Sequence, residues 1–195
     1  MRIRREKESD YYDRVYSKGG HKQIYFKTAE DIKSYYPTWK YAYEYIIKNN
    51  IKNVVDIGCG PGHFASLFKE EDGIKYIGID FSSIAISQAK EKVKNKNVNF
   101  LCEDLRGLEL INSNFYTCFE VLEHIEGDIE IIKNIGVGKS LLFSVPDYDS
   151  VSHVRFFRNY KLIEERYGNL LDMSLVHKIG TPSEGKIYLC YGKRK

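Results

Sequence analysis

Short apolar runs alternate along this chain with amphipathic stretches, and that rhythm predicts its architecture. Val54-Val55-Asp56-Ile57, Tyr76-Ile77-Gly78-Ile79-Asp80, Val98 to Asp104, Phe115 to Glu120 and Ser140 to Pro146 are rich in β-branched and aromatic residues. Each has the length of a strand buried on both faces. Helical spacing fills most of the gaps between them. A helix is expected from His63-Phe64-Ala65-Ser66-Leu67-Phe68, another over Ser82 to Lys90 capped by its own serines, and a third over Gly127 to Ile135. Strands alternating with helices imply a parallel sheet with right-handed crossovers. Upstream, Tyr11 to Tyr16 predicts a short aromatic helix or turn broken at Gly19-Gly20. Tyr35 to Ile47 predicts a helix with Thr38 as its N-cap and Trp39, Ala42, Tyr43, Ile46 and Ile47 on one apolar face, ended by Asn49-Asn50. Downstream come a helix near Asn159 to Tyr167 and two strands, near Leu171 to Ile179 and Lys186 to Tyr191. A hairpin around Pro182-Ser183-Glu184-Gly185 joins those strands and adds an antiparallel edge. The expectation is an α/β sheet of seven strands, mostly parallel, with helices on both faces.

Composition narrows the class. A chain of 195 residues with 43% apolar content reads as one domain with a proper core. Within it, residues 1–50 would form an aromatic helical cap or lid and residues 51–195 the core, with the charged first ten residues frayed. No apolar run approaches the ~20 residues of a membrane span, and the charged start lacks a signal peptide's apolar core. A cytoplasmic protein without membrane insertion is expected. Cys59, Cys102, Cys118 and Cys190 are widely spaced and suggest buried thiols rather than a disulfide framework or a cysteine zinc site. A net charge of +3 permits an anionic substrate but lacks the basic signature of a dedicated nucleic-acid binder. Tyrosine is abundant, at 16 residues, with many before the first strand. Most are assigned to packing, and one or two of Tyr11, Tyr12, Tyr35 and Tyr36 to a lid over a ligand.

The chemistry is concentrated at the predicted strand tips. After the first strand, Gly58, Gly60 and Gly62 follow Asp56 at alternate positions around Cys59 and Pro61. Such glycines let a turn adopt positive φ and leave its backbone open to a ligand. The spacing differs from the G-x-G-x-x-G of dinucleotide enzymes, which disfavours a nicotinamide dehydrogenase. The second strand ends in Asp80, placed to accept both hydroxyls of a ribose. Phe81 would then flank a base, with Asp104 accepting from an adenine amino group, Leu105 donating its N–H, and Glu103 as the competing acid. In this order Asp56, Gly58, Gly60, Gly62, Asp80 and Asp104 resemble the motifs of the class I S-adenosylmethionine (SAM) methyltransferases, over about residues 50–146. The resemblance implies a Rossmann-like class I methyltransferase fold and SAM as cofactor, released as S-adenosylhomocysteine (SAH).

Glu120-Val121-Leu122-Glu123-His124 is similar to the E-V-L-E-H signature of ubiquinone-biosynthesis-type O-methyltransferases and related small-molecule or sugar methyltransferases. The Tyr35-Tyr36-Pro37-Thr38-Trp39 segment bears a weaker likeness to methyltransferases that accompany glycan-building enzymes. Glu120 is also a candidate cofactor contact. Glu120, Glu123 and His124 would share one face of a helix beginning at the fourth strand's tip, and His153 follows the fifth strand. Two arrangements suit an acceptor hydroxyl. In one, His124, with Glu123 beside it, is the general base. In the other, Glu120, Glu123, His124 and His153 hold a divalent metal, as in the small-RNA terminal 2′-O-methyltransferases that the E-x-x-E-H pattern also resembles. The bland alternative makes Glu123 and His124 helix caps and His153 a solvated loop residue. The expected function is O-methylation of a small-molecule or sugar-containing acceptor. RNA 2′-O-methylation and a non-catalytic SAM-binding subunit are the alternatives. His21, His63 and His177 are read as ordinary surface or core residues, and Arg155, Arg158 and Lys161 as a solvated basic face or a phosphate contact.

Overall fold

A computed structural model describes residues 5–106, 110–183 and 185–195. The predicted apolar runs are strands: β1 (Asn53–Ile57), β2 (Lys75–Asp80), β3 (Val98–Cys102), β4 (Phe115–Phe119), β5 (Ser140–Pro146), β6 (Leu171–Gly180) and β7 (Lys186–Arg194). They make one sheet in the order β3-β2-β1-β4-β5-β7-β6. Strands β1 to β5 pair in parallel, while β7 runs antiparallel to both β5 and β6. The closing hairpin therefore supplies the antiparallel edge, with β6 outermost. Its turn closes through the Thr181 N–H on the Gly185 carbonyl, at 2.8 Å; Glu184 lies outside the described residues.

Side-chain alternation along the strands divides the core into two layers. Val54, Tyr76, Phe100, Phe115 and Leu142 pack on one face with Ala42 and Ile46 of α2 (Tyr36–Lys48) and Ile86 and Ala89 of α3 (Ser83–Lys92). Val55, Ile57, Ile79, Tyr116, Leu141 and Phe143 pack on the other with Ile131 and Ile132 of α4 (Asp128–Lys133) and Ile163 and Tyr167 of α5 (Tyr160–Tyr167). Each large apolar side chain buried here stabilises the fold by about 1.5–3 kcal/mol. No helix among the described residues is long and apolar enough to cross a membrane.

Several local expectations need correction. Only two short 3-10 turns, Ala65–Leu67 and Glu70–Asp72, follow the glycine turn. Phe64 and Phe68 are both buried, as a helical face would be, but Phe68 is extended (ψ 128°). The Asp72 carboxylate then captures the Lys69 N–H at 2.8 Å and starts a new turn. Thr38 is buried within α2 and does not cap it; Tyr35 is the N-cap, and Pro37 occupies the first turn. Ile47 is exposed. The first residues described are pinned rather than frayed. Glu6 accepts from the Glu126 N–H (2.7 Å) and from Arg106 (3.2 Å), and α1 (Ser9–Ser17) begins shortly after.

Candidate functional site

Strand order reverses where β1 lies beside β4, and in open parallel sheets ligands occupy the crevice at the carboxyl ends of such strands. A cavity of about 650 Å³ opens there, walled by the glycine turn, the tips of β2 and β4, the loop after β5 and the N-terminal cap. Gly58 has φ +72°, and a Cβ would fall 2.4 Å from Val121. Gly62 has φ +75°, and a Cβ would fall 3.0 Å from that of Ala89, so only glycine lets this turn lie against α3. The N–H groups of Gly58 and Cys59 anchor the turn to the Ile79 carbonyl at 2.8 and 3.0 Å.

Two buried acids organise this half. Asp80 accepts from the Gly60 N–H and the Ser82 N–H, both at 2.9 Å, and burial pushes its carboxyl up to about 6. Ser82, not Asp80, caps α3, accepting from the Ala85 N–H at 3.1 Å. Each Asp80 oxygen keeps a lone pair for a further donor. Asp56 lies behind the turn with both oxygens engaged, one by Thr117 Oγ1 at 2.6 Å and the other by the Tyr76 hydroxyl. Burial pushes it up to about 7. Phe81 forms a wall beside Tyr12, with ring centroids 5.3 Å apart, and Leu105 and Glu103 also line the cavity. Asp104 departs from expectation. Arg106 grips its carboxylate with donors at 2.9 and 2.5 Å and also reaches Glu8 at 2.8 Å, so Asp104 is not a free acceptor.

On the other side, the strand tip opens into a hydrogen-bonded turn (His124 N–H to the Val121 carbonyl, 2.9 Å), not the predicted helix. Glu120 takes the left-handed conformation (φ +56°), unusual for a non-glycine residue. Ser144 Oγ donates to its carboxylate at 2.9 Å, with the Tyr148 hydroxyl 3.5 Å away. Glu120 is thereby drawn out of the predicted four-ligand set. The other three converge: ligand atoms of Glu123, His124 and His153 lie within 4.8 Å of one another. His124 Nδ1 is 3.1 Å from the Ser152 carbonyl and His153 Nδ1 is 3.1 Å from the Tyr148 carbonyl. A carbonyl only accepts, so each Nδ1 carries a proton, and the neutral His124 keeps its Nε2 lone pair. Glu123 is fully buried, and neither carboxylate oxygen has a hydrogen-bond partner among the described residues. His124 Nε2 is 3.5 Å from it. Burial pushes the Glu123 carboxyl well up; burial and then His153 pull His124 down to about 4, leaving a neutral imidazole.

Of the four candidate lid tyrosines, Tyr11, Tyr12 and Tyr35 line the cavity and Tyr36 does not. Tyr16, Tyr25 and Tyr148, not assigned to a lid from the sequence, line it as well, and so does Trp39, which the sequence placed on the apolar face of α2. Tyr16 follows Tyr12 by one helical turn, a spacing that could have revealed it. His63 is buried in the wall, stacked on Trp39 at 5.6 Å, and His177 stacks on Tyr41 at 5.6 Å.

The fold is that of the class I methyltransferases. Residues 54–135 match the model of a methyltransferase-domain family. The ubiquinone biosynthesis O-methyltransferase of Coxiella burnetii is 34% identical over 101 residues, covering 48% of this chain and 43% of that protein. The match thus spans less than half of that relative's length. Among solved structures, the magnesium protoporphyrin IX methyltransferase of Synechocystis PCC 6803 with bound SAM aligns with a TM-score of 0.68 at 16% identity, covering 94% of this chain and 91% of that one. The methyltransferase domain of a bacterial Hen1 protein aligns at 0.59 and 18% identity, covering 80% and 97%. At these identities the structures share the fold alone. The chain thus has the fold of class I methyltransferases, with sequence similarity to a methyltransferase-domain family over residues 54–135.

Proposed function

We propose that this chain transfers the methyl group of SAM to a hydroxyl oxygen presented at Glu123, His124 and His153. The observation that carries this reading is the buried Glu123 carboxylate, without a hydrogen-bond partner among the described residues, facing two imidazoles whose Nδ1 protons are committed to carbonyls. A buried carboxylate is costly unless paired, and a divalent cation completes this donor set. One carboxylate and two imidazoles suit a first-row ion such as Mn2+. When bound, such an ion supplies positive charge beside the acceptor oxygen and eases loss of its proton. The chain's own residues do the rest. The glycine turn, Asp80 and Phe81 hold the cofactor, and the neighbouring cavity holds the acceptor in line with an already activated sulfonium. Tyr12, edge-on to His124 at 6.0 Å, walls the reacting centre from solvent.

His124 acting alone as general base is the competing reading, and its lowered basicity suits that task poorly. The 34% identity to a ubiquinone biosynthesis O-methyltransferase supports a small-molecule acceptor. The test is SAH release from SAM with phenols, glycosides and RNA 3′ ends, in chelator and after Mn2+ is restored. Release that needs Mn2+, and is lost in His124→Ala and His153→Ala while SAM binding persists, is the expected result. Release in chelator with an intact His124 would replace the cation with a base. SAM binding without release from any acceptor would make the chain a binding subunit.

A further inference from the structure

The three converging side chains come from two separate segments. Glu123 and His124 lie on the turn after β4, His153 on the loop after β5, and neither segment is a regular element that would fix its own geometry. Arg155 joins them. Its Nη1 donates to the Leu122 carbonyl at 2.5 Å and to the Ile125 carbonyl, and its Nη2 to the Glu126 carbonyl at 3.2 Å. These acceptors flank Glu123 and His124 on both sides, so one planar group sets the rotation of the turn that presents them. The main chain of the same stretch adds a second tie: the N–H groups of Val154 and Arg155 donate to the Glu123 carbonyl at 2.9 and 3.3 Å.

The guanidinium is itself held from behind. Its Nη1 lies 3.2 Å from Asp128, which is fully buried at the start of α4. Arg166 of α5 grips Asp128 with two donors at 2.6 Å, and the Tyr167 hydroxyl donates to it at 2.7 Å. The chain of contacts thus runs from α5 through Asp128 and Arg155 to the centre. A solvated basic residue, as the sequence suggested, would need none of these partners.

We infer that Arg155 is a positioning residue, which holds the Glu123–His124 turn and the His153 loop in the register that brings their three side chains together. Its consequence for cation binding rests on the reading under Proposed function. Lysine at this position keeps the charge toward Asp128 but lacks the planar fork.

The test compares wild type, Arg155→Lys and, as a control on the same loop, Arg158→Lys. Co2+ titration, SAM titration and amide exchange at Val154 are measured on each. Arg155→Lys is expected to keep SAM affinity within about twofold while Co2+ affinity falls at least about tenfold and the Val154 amide loses protection; Arg158→Lys should match wild type. Wild-type Co2+ affinity and unchanged Val154 protection in Arg155→Lys would overturn the inference. If wild type binds no Co2+, the cation reading fails and Val154 exchange alone decides the clamp: lost protection upholds it, and retained protection overturns it. If Arg155→Lys does not fold, NMR of the wild-type guanidinium decides, with slowly exchanging Nη protons expected and freely exchanging ones overturning the assignment.

Discussion

Asp80 joins two walls of the cavity, because one carboxylate restrains both the glycine turn and the start of α3. Asp80→Ala should weaken SAM binding by roughly 1.5–3 kcal/mol, the loss expected of hydrogen bonds to a charged group. Calorimetric titration checks this, and unchanged affinity would remove Asp80 from the ribose site. Asp56 makes a different prediction, on stability. Its folded-state carboxyl is raised to about 7 by burial, against about 4 in the unfolded chain. The folded protein therefore holds this proton more tightly, and the associated stability is present below about pH 4 and lost as pH rises through about 7. Asp56→Asn removes that dependence. Its stability relative to wild type, followed by thermal melting, should climb as pH rises from about 4 to about 7, by up to about 1.4 kcal/mol for each pH unit. A constant difference would show that Asp56 is ionised throughout. These acids were legible in the sequence because each ends an apolar run. Arg106 was not, since nothing in its spacing says that it folds back onto Asp104 and reaches Glu6 and Glu8.

Among the helices, α1 is loosely held. It buries none of its residues, and polar contacts fasten it: Ser82 Oγ donates to Asp13 at 2.5 Å and the Ile84 N–H at 3.2 Å. Elements with few buried apolar contacts open at low cost, and this one carries Tyr12 and Tyr16 into the cavity wall. Asp13→Ala should accelerate hydrogen exchange throughout α1 and raise the SAM dissociation rate by about tenfold, leaving the sheet unchanged. Stopped-flow displacement with excess SAH measures the rate, and an unaltered rate would mean that SAM leaves without displacing α1. The strands were legible because a buried parallel strand is a short β-branched run bounded by polar residues. The helix expected after the glycine turn was not, because Phe64 and Phe68 bury equally well whether the chain coils or extends between them. His153 had no local signal either. Its relation to Glu123 exists only because β4 and β5 are neighbours.

At the scale of the whole molecule, the proposed cofactor site and the Glu123–His124–His153 centre line one cavity, and Tyr12 lies against both. Its ring lies 5.3 Å from Phe81 on the cofactor side and 6.0 Å from His124 on the other. A ligand that settles α1 over Phe81 therefore also settles Tyr12 against His124, which lowers the cost of ordering the second site. SAH should tighten Mn2+ binding by about fivefold, a coupling of about 1 kcal/mol, and Mn2+ should tighten SAH binding by the same factor. SAM should give a smaller effect, because its sulfonium charge repels the cation. Tyr12→Ala should abolish the SAH coupling while leaving Mn2+ affinity in the absence of SAH within about twofold. Paired titrations, each ligand with and without the other, check both directions. Equal Mn2+ affinity with and without SAH would mean that the two halves of the cavity fill independently and that the cap serves the cofactor alone.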